Sequence, residues 1–433
     1  MSNRTDLQVS MCAHRLTSKW IWVMKKKNHI DAAREKETAM TPLTCNGFTA
    51  CGMAAGIKKN GDLDLGLLAS DRPSAVAAVF TKNRVQAAPV MLDREHLRSG
   101  NAQAVVVNSG NANCANGEPG MKAAMDMAAA VADELSLSQD HVLVASTGVI
   151  GVRFPIERVK SSVPGLVSRL TAKGVPDLAR AIMTTDTRPK MGGREGAVGV
   201  NPYNLVAVAK GAGMIRPDMA TMLCFAFTDA DVSDIDLQPV LQRAVDVSFN
   251  CISIDGDTST NDTVVLMGNG ASGAKIHTTG DQLAFQRLLD DLFQDLARQM
   301  VRDGEGVTKV VDLKVRGARS DAEARAIVDA IGHSPLVKTA FFGEDANWGR
   351  IIAAAGRAGV HLDPDCLDLY FGDAQMVKNG TGCGSDAEQK ATVFMKQPEF
   401  QVTLDLKLGH GQAGLLTCDF SIDYVKINAD YRS

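Results

Sequence analysis

The 433-residue sequence has no long apolar run, no charge excess of either sign, no internal repeat and no clustered cysteines. A membrane-spanning helix needs roughly 18–20 mostly apolar residues in succession, and no stretch approaches that. Lysine and arginine total 46 against 50 aspartate and glutamate, a formal charge of −4. Nothing in that balance points to nucleic acid or an anionic membrane as partner. The nine cysteines, at positions 12, 45, 51, 114, 224, 251, 366, 383 and 418, form no C-x-x-C pair and no Cys/His cluster. This argues against zinc and against a disulfide scaffold; free thiols in a reducing compartment fit better, so the cytoplasm is the expected location. What is there, 45% apolar and 22% charged residues, suits a soluble globular protein with one large core or two domains.

Residues 1–40 stand apart. Trp20, Ile21, Trp22, Val23 and Met24 precede Lys25, Lys26 and Lys27, the reverse of a signal peptide's charge order. A start at Met40 is expected, with a genuine extension or targeting arm as the alternative.

Beyond residue 47 the pattern alternates between strand runs and small-residue helices, which gives an α+β or mixed α/β class. Gly47 to Val90 reads as short strands with turns, Gly61-Asp62 marking one of them. Ala104–Asn108 and His141–Ala145 are strands. Residues 119–135 have helical spacing, with Met121, Ala124, Met125, Ala128 and Val131 on one side. Residues 222–232, MLCFAFTDADV, are apolar on both faces and predict a central strand. A helix over 235–250 follows, then the polar loop ISIDGDTSTND and the strand TVVLMGNG. The clearest helix is Asp281–Val301, with Leu283, Phe285, Leu288, Leu289, Leu292, Phe293, Leu296 and Met300 at three- and four-residue steps; glycines at Asp303-Gly304-Glu305-Gly306 stop it. TKVVDLKVRG is a strand, SDAEARAIVDAIGHSP a capped helix ending at Gly332, and residues 366–425 return to strands. The acidic spacing from Asp255 superficially resembles a calcium loop, but no glutamate stands at the twelfth position, and no metal is expected.

The chain is organised around KGAGMIRPDMATMLCFAFTDA, residues 210–230. Small residues after Lys210 make a loop, Pro217 and Asp218 stiffen its far end, and Thr221 stands where the loop becomes a buried strand. A threonine hydroxyl alone is a poor nucleophile. If the peptide bond before it were cut, the freed α-amine, with a reference pKa of about 7.7–8.0, could serve as its base. Spacing alone reads Thr221 as a β-branched residue opening a core strand.

The run KGAGMIRPDMATML resembles the processing site of the bifunctional glutamate N-acetyltransferase/ornithine acetyltransferases of arginine biosynthesis. The likeness extends from about Thr44 to Ser433 through the phrases AVFTKNRVQAAPV, STGVIG, DGDTSTND, DGEG and NADYRS. It implies an αββα-type layered domain with an amino-terminal nucleophile and a smaller domain from about residue 300. It also implies self-cleavage between Ala220 and Thr221, giving an α chain of residues 41–220 and a β chain of residues 221–433. Thr221 would then carry acetyl in a ping-pong transfer from N-acetylornithine to glutamate, without metal or other cofactor. Some family members also accept acetyl-CoA, and the sequence leaves that open here.

The same resemblance assigns Thr147 and Gly148 to an oxyanion hole, residues which alone read as a plain strand-end turn. It makes SGNANCANG, after the strand at 104–108, one wall of the site. Thr184, with Thr185 as its neighbour in an uncertain register, Lys210, Glu305, Asn428 and Ser433 become contacts to the amino-acid substrate. On spacing alone these would be a helix cap, a solvated lysine, a turn and a fraying terminus. Two α and two β chains are the implied assembly. An amino-terminal-nucleophile aminopeptidase or amidase is the competing reading.

Overall fold

In the computed structural model, residues 43–216 and 222–430 are described. In chain order the first strands and helices are β1 (Phe48–Met53), β2 (Leu65–Phe80), α1 (Ala88–His96), β3 (Asn101–Asn111), α2 (Gly117–Leu135), β4 (Val142–Val149), α3 (Ile156–Val167) and α4 (Val175–Ala181). They continue with β5 (Lys190–Val198), β6 (Asn201–Lys210), β7 (Leu223–Thr228), α5 (Leu237–Asp246), β8 (Thr263–Gly268) and α6 (Thr279–Arg302). The eight strands form one sheet in the order β4-β3-β2-β8-β7-β6-β5, with β1 also pairing to β2.

Strand β2 explains the shape of that sheet. Its first half pairs with β1 and β3, its second half with β8, and the register breaks between Ala69 and Ser74 around the exposed Asp71-Arg72-Pro73. The sheet therefore turns over at this point into two limbs. Across them the rings of Phe48 and Phe227 lie 5.0 Å apart, and α4 packs against β1, β2 and β6. On the outside of one limb, Leu65, Leu67, Ala104, Val106, Val142 and Val144 meet α1, α2 and α3. On the outside of the other, Leu205, Ala207, Cys224, Ala226, Val264 and Leu266 meet α5 and α6. Helix, strand, strand and helix layers follow, and strands covered on both faces read as continuous apolar runs, as β7 does.

Local chemistry sets the elements. Thr278 and Asp281 form a capping box at the start of α6, satisfying amides that a helix start otherwise leaves unpaired. Its buried face includes Phe285, Leu289, Leu292, Phe293, Leu296 and Met300, each contributing about 1.5–3 kcal/mol of transfer free energy. The anticipated face is slightly too wide, because Leu283 is exposed. In α2 the buried side runs through Ala123, Ala124, Met127, Ala128 and Val131, turned away from Met125, which is exposed. Residues 88–90, read as the end of a strand region, open α1 instead, with Pro89 in its first turn, where a missing amide hydrogen costs nothing.

The second sheet comprises β9 (Val310–Ala318), β10 (Asp368–Phe371), β11 (Ala374–Lys378), β12 (Thr381–Gly382), β13 (Glu399–Asp405) and β14 (Gly411–Cys418), in the order β12-β11-β10-β13-β9-β14. It packs with α7 (Asp321–Gly332), α8 (Pro335–Phe342), α9 (Trp348–Gly356) and α10 (Ser385–Met395) around its own core. The last element among the described residues is α11 (Ile422–Ala429). Residues 385–395 and 422–429 are helices where strands were expected; Ser421 caps the second through the amide of Tyr424. The eight described cysteines are free. Among the described residues no helix is long and apolar enough to cross a membrane.

Candidate active site

A cavity of about 240 Å³ opens where the ends of β3, β4 and β6 meet the loops before β8 and after α6. Sites for drug-sized ligands run to roughly 300–1,000 Å³, so this one suits a small metabolite. Its walls bring together Thr147, Gly148, Thr184, Thr185, Lys210, Glu305 and Asn428, which lie up to 281 positions apart in the chain. Ala112, from the SGNANC wall, also lines it. Ala220 and Thr221, with Pro217, Asp218 and Met219, lie outside the described residues, as does Ser433. A larger cavity of about 530 Å³, bordered by Thr44–Thr49, Asp71 and Leu137, contains none of the candidates.

Thr147 and Gly148 sit in the last turn of pairing between the parallel strands β3 and β4. Gly148 has φ +130°, and a Cβ there would stand 2.4 Å from the carbonyl carbon of Gly110, so only glycine lets the two strand ends approach. Asn261 ties the same ends together, its Nδ2 donating to Ala112 O at 2.6 Å and Ser146 O at 2.8 Å. The Lys210 ammonium donates to Thr147 Oγ1 at 3.4 Å, which leaves the threonine's own hydrogen available to another acceptor.

Lys210 is fully buried. Burial pushes its pKa down and the nearby Lys190 adds to that push, while Asp186, Asp262 and Glu305 act in the opposite sense. Glu305 is held by two contacts: its amide donates to Ala212 O at 2.8 Å, and its Oε2 accepts from Asn428 Nδ2 at 2.8 Å. A Cβ on Gly213 would lie 2.5 Å from that carboxylate, so glycine is what lets the backbone come this close. Helix α11 thus returns from the second sheet to deliver Asn428, which the strand reading of this region would have aimed differently.

Just before the undescribed segment, Asp255 accepts from the amides of Met214 and Ile215 at 2.5 and 2.8 Å, fixing Met214 in a left-handed conformation, φ +56°. Just after it, the amide of Met222 donates to Asp262 Oδ1 at 3.1 Å. The other oxygen of Asp262 is buried and has no partner among the described residues; burial holds this carboxyl well above the usual range. Ser259, Thr260 and Asn261 line the cavity as well. They had no assigned role, and the available signal was a run of small polar residues directly ahead of a fully buried strand. Among the described residues no group of three or more His, Cys, Asp and Glu is placed to hold a metal ion.

Fold and pocket define a layered α/β protein with a small, partly open site whose lining carries both a lysine and a carboxylate. Residues 49–433 match the model of the ArgJ family, and the chain belongs to that family. The arginine biosynthesis bifunctional protein ArgJ of Geobacter sulfurreducens is 51% identical over 393 residues, spanning 90% of this chain and all of that protein. Its counterpart in Syntrophotalea carbinolica is 46% identical over 390 residues, 90% of this chain and 99% of that one. Among solved structures, ornithine acetyltransferase from Mycobacterium tuberculosis in complex with ornithine is 34% identical, covering 41% of this chain and 96% of that chain, with a TM-score of 0.36.

Proposed function

We propose that this protein moves an acetyl group from N-acetylornithine to glutamate through an acetyl-threonine intermediate on Thr221, freed by cleavage of the Ala220–Thr221 bond. The observation that carries this reading is the single pocket in which Thr147, Gly148, Thr184, Lys210, Glu305 and Asn428 converge. Membership of the ArgJ family and the full-length likeness to bifunctional arginine-biosynthesis proteins support it. The word bifunctional in those names also favours acetyl-CoA as a second acetyl donor to glutamate.

The Thr221 hydroxyl attacks the acetyl carbonyl carbon of N-acetylornithine, its proton passing to the Thr221 α-amine. The tetrahedral oxyanion is met by the Thr147 hydroxyl, already oriented by Lys210, and by the Gly148 amide. The carbon–nitrogen bond breaks, the proton moves to the departing amine, and ornithine leaves acetyl on Thr221. Glutamate's amine then attacks that ester and the threonine hydroxyl is restored. Lys210 is the cation for a substrate carboxylate and Glu305, steadied by Asn428, the anion for the substrate amine; Thr184 or Thr185 and Ser433 complete the contacts. No cofactor enters, because the threonine carries the acetyl group. Two α and two β chains in the cytoplasm are the proposed working form.

Intact-mass measurement with amino-terminal sequencing tests this directly. Two polypeptides, the second beginning at Thr221, are expected from wild type, and one uncut, inactive chain from Thr221→Ala. Turnover of N-acetylornithine by the alanine variant would refute the assignment. Ornithine release at full rate without glutamate would instead point to hydrolysis.

A further inference from the structure

Behind the pocket lies a set of buried charges that the proposed chemistry does not use. Lys190, at the start of β5, is among the largest fully buried side chains of the protein. Its ammonium reaches Asp186 Oδ1 and Asp303 Oδ2, both at 2.6 Å. Asp186 also accepts from the amide of Gly211 at 2.7 Å and from the amide of Thr184 at 3.0 Å. Asp303 accepts from the amides of Thr187 and Arg188 at 3.0 and 3.3 Å, and from the Thr187 hydroxyl. Burial alone would raise the Asp186 carboxyl, but Lys190 and Lys210 outweigh it and hold it far below the usual carboxylate range.

We propose that Asp186, Lys190 and Asp303 form the positioning device of this pocket, with Lys190 as the hub that locks Thr184, Lys210 and Glu305 into one arrangement. The proposal rests on the acetyl-transfer reading for what the pocket binds. Each arm of the triad ends on a pocket residue or within two residues of one. Asp186 grips the amide of Thr184 itself and the amide directly after Lys210; Asp303 stands two residues before Glu305. Three loops distant in sequence thus share one cation. Such buried ion groups contribute little net stability, since desolvation offsets their attraction, and their best-attested use is to specify geometry. Removing the cation would leave the buried Asp186 carboxylate facing the largely covered one of Asp303 with nothing to offset their repulsion, so the loops would have to part.

The test uses full-length Asp303→Asn, Lys190→Met and Lys190→Arg proteins, each first checked for a cooperative melt. Hydrogen exchange is followed in peptides spanning Thr184 and Gly211, whose amides bind Asp186 and not Asp303, and calorimetry follows binding of ornithine, which the protein does not consume. In Asp303→Asn and in folded Lys190→Met both amides are expected to exchange at least tenfold faster and the Kd to rise at least tenfold, whereas Lys190→Arg, which can still bridge two carboxylates, keeps most of the wild-type protection and affinity. Unchanged exchange in folded Asp303→Asn overturns the coupling, and unchanged affinity overturns its role at the pocket. Should Lys190→Met fail to fold, Asp303→Asn decides alone, because the amide still accepts from Thr187 and Arg188. A wild type that neither binds ornithine nor releases it from N-acetylornithine sinks the acetyl-transfer reading, while the exchange result still judges the triad.

Discussion

Gly148 offers the sharpest test of how the site is built, because a second glycine three residues on provides the control. Gly148 has φ +130° and Gly151 φ +77°, so an alanine at either position bears the backbone strain of a region that side chains rarely occupy, about 1–3 kcal/mol. The surroundings differ. A Cβ at Gly151 meets nothing within 4 Å, whereas one at Gly148 falls 2.4 Å from Gly110 C and 2.6 Å from Asn111 N. Those are backbone atoms of the neighbouring strand and cannot swing aside, so the β3 and β4 ends must separate. Overpacking of this kind adds about 1–3 kcal/mol. Gly151→Ala is therefore expected to cost about 1–3 kcal/mol and Gly148→Ala about 2–6. Urea denaturation of both variants against wild type measures the difference. Activity should diverge more steeply. Displacing an oxyanion-hole donor lowers kcat by about 10²–10³, so Gly148→Ala should lose acetyl transfer on that scale at unchanged assay conditions while Gly151→Ala keeps most of it. Equal stability losses in the two variants would show that the strands do not approach as closely as the geometry requires, and the oxyanion assignment would lose its structural basis.

Two further expectations concern the neighbourhood of Thr221. Burial holds the Asp262 carboxyl well above its ordinary range, so the folded protein keeps a proton there that the unfolded chain releases above about pH 4. Stability contributed at this site is then lost as pH rises from that value toward the folded pKa. Asp262→Asn keeps an acceptor for the Met222 amide and removes the titration; its stability relative to wild type should increase from pH 5 to pH 8, and parallel denaturation profiles across that range would contradict the argument. The second expectation follows from sheet order. If the chain is cut before Thr221, β6 goes to one fragment and β7 and β8 to the other, yet β7 pairs with β6 from Leu205↔Thr228 to Lys210↔Leu223 and β8 pairs with β2 from Ala75↔Gly268 to Phe80↔Thr263. The fragments should elute together under native conditions and separate only in denaturant. Separation by dilution alone would mean that these ladders do not hold the cut protein.

Much of the architecture was legible because burial writes itself into sequence. Strand β7 is apolar on both faces and is buried along its whole length, and α6 announces itself by spacing, capping residues and the glycines after Asp303. The elements that were misread lack that imprint. In α11, Ile422 and Val425 are 64% and 65% exposed, so its apolar residues report on no core, and their rough alternation with polar neighbours imitates a strand. Helix α8 begins at a proline after Ser334, a start signal that went unread because the preceding helix ends only three residues earlier. For the site the limit is different in kind. Thr147, Lys210 and Glu305 each look locally like a turn, a solvated cation and a loop carboxylate, and only a resemblance to known motifs marks them out. Asp186, Lys190 and Asp303 carry even less: in sequence they are charges beside a helix end, where solvated caps are commonplace. Their meeting depends on β5 and β6 pairing as neighbours while α6 packs across β5. Local pattern predicts which residues are covered, but a buried ion group is specified by which loops the sheet order places side by side, and no window of sequence contains that information.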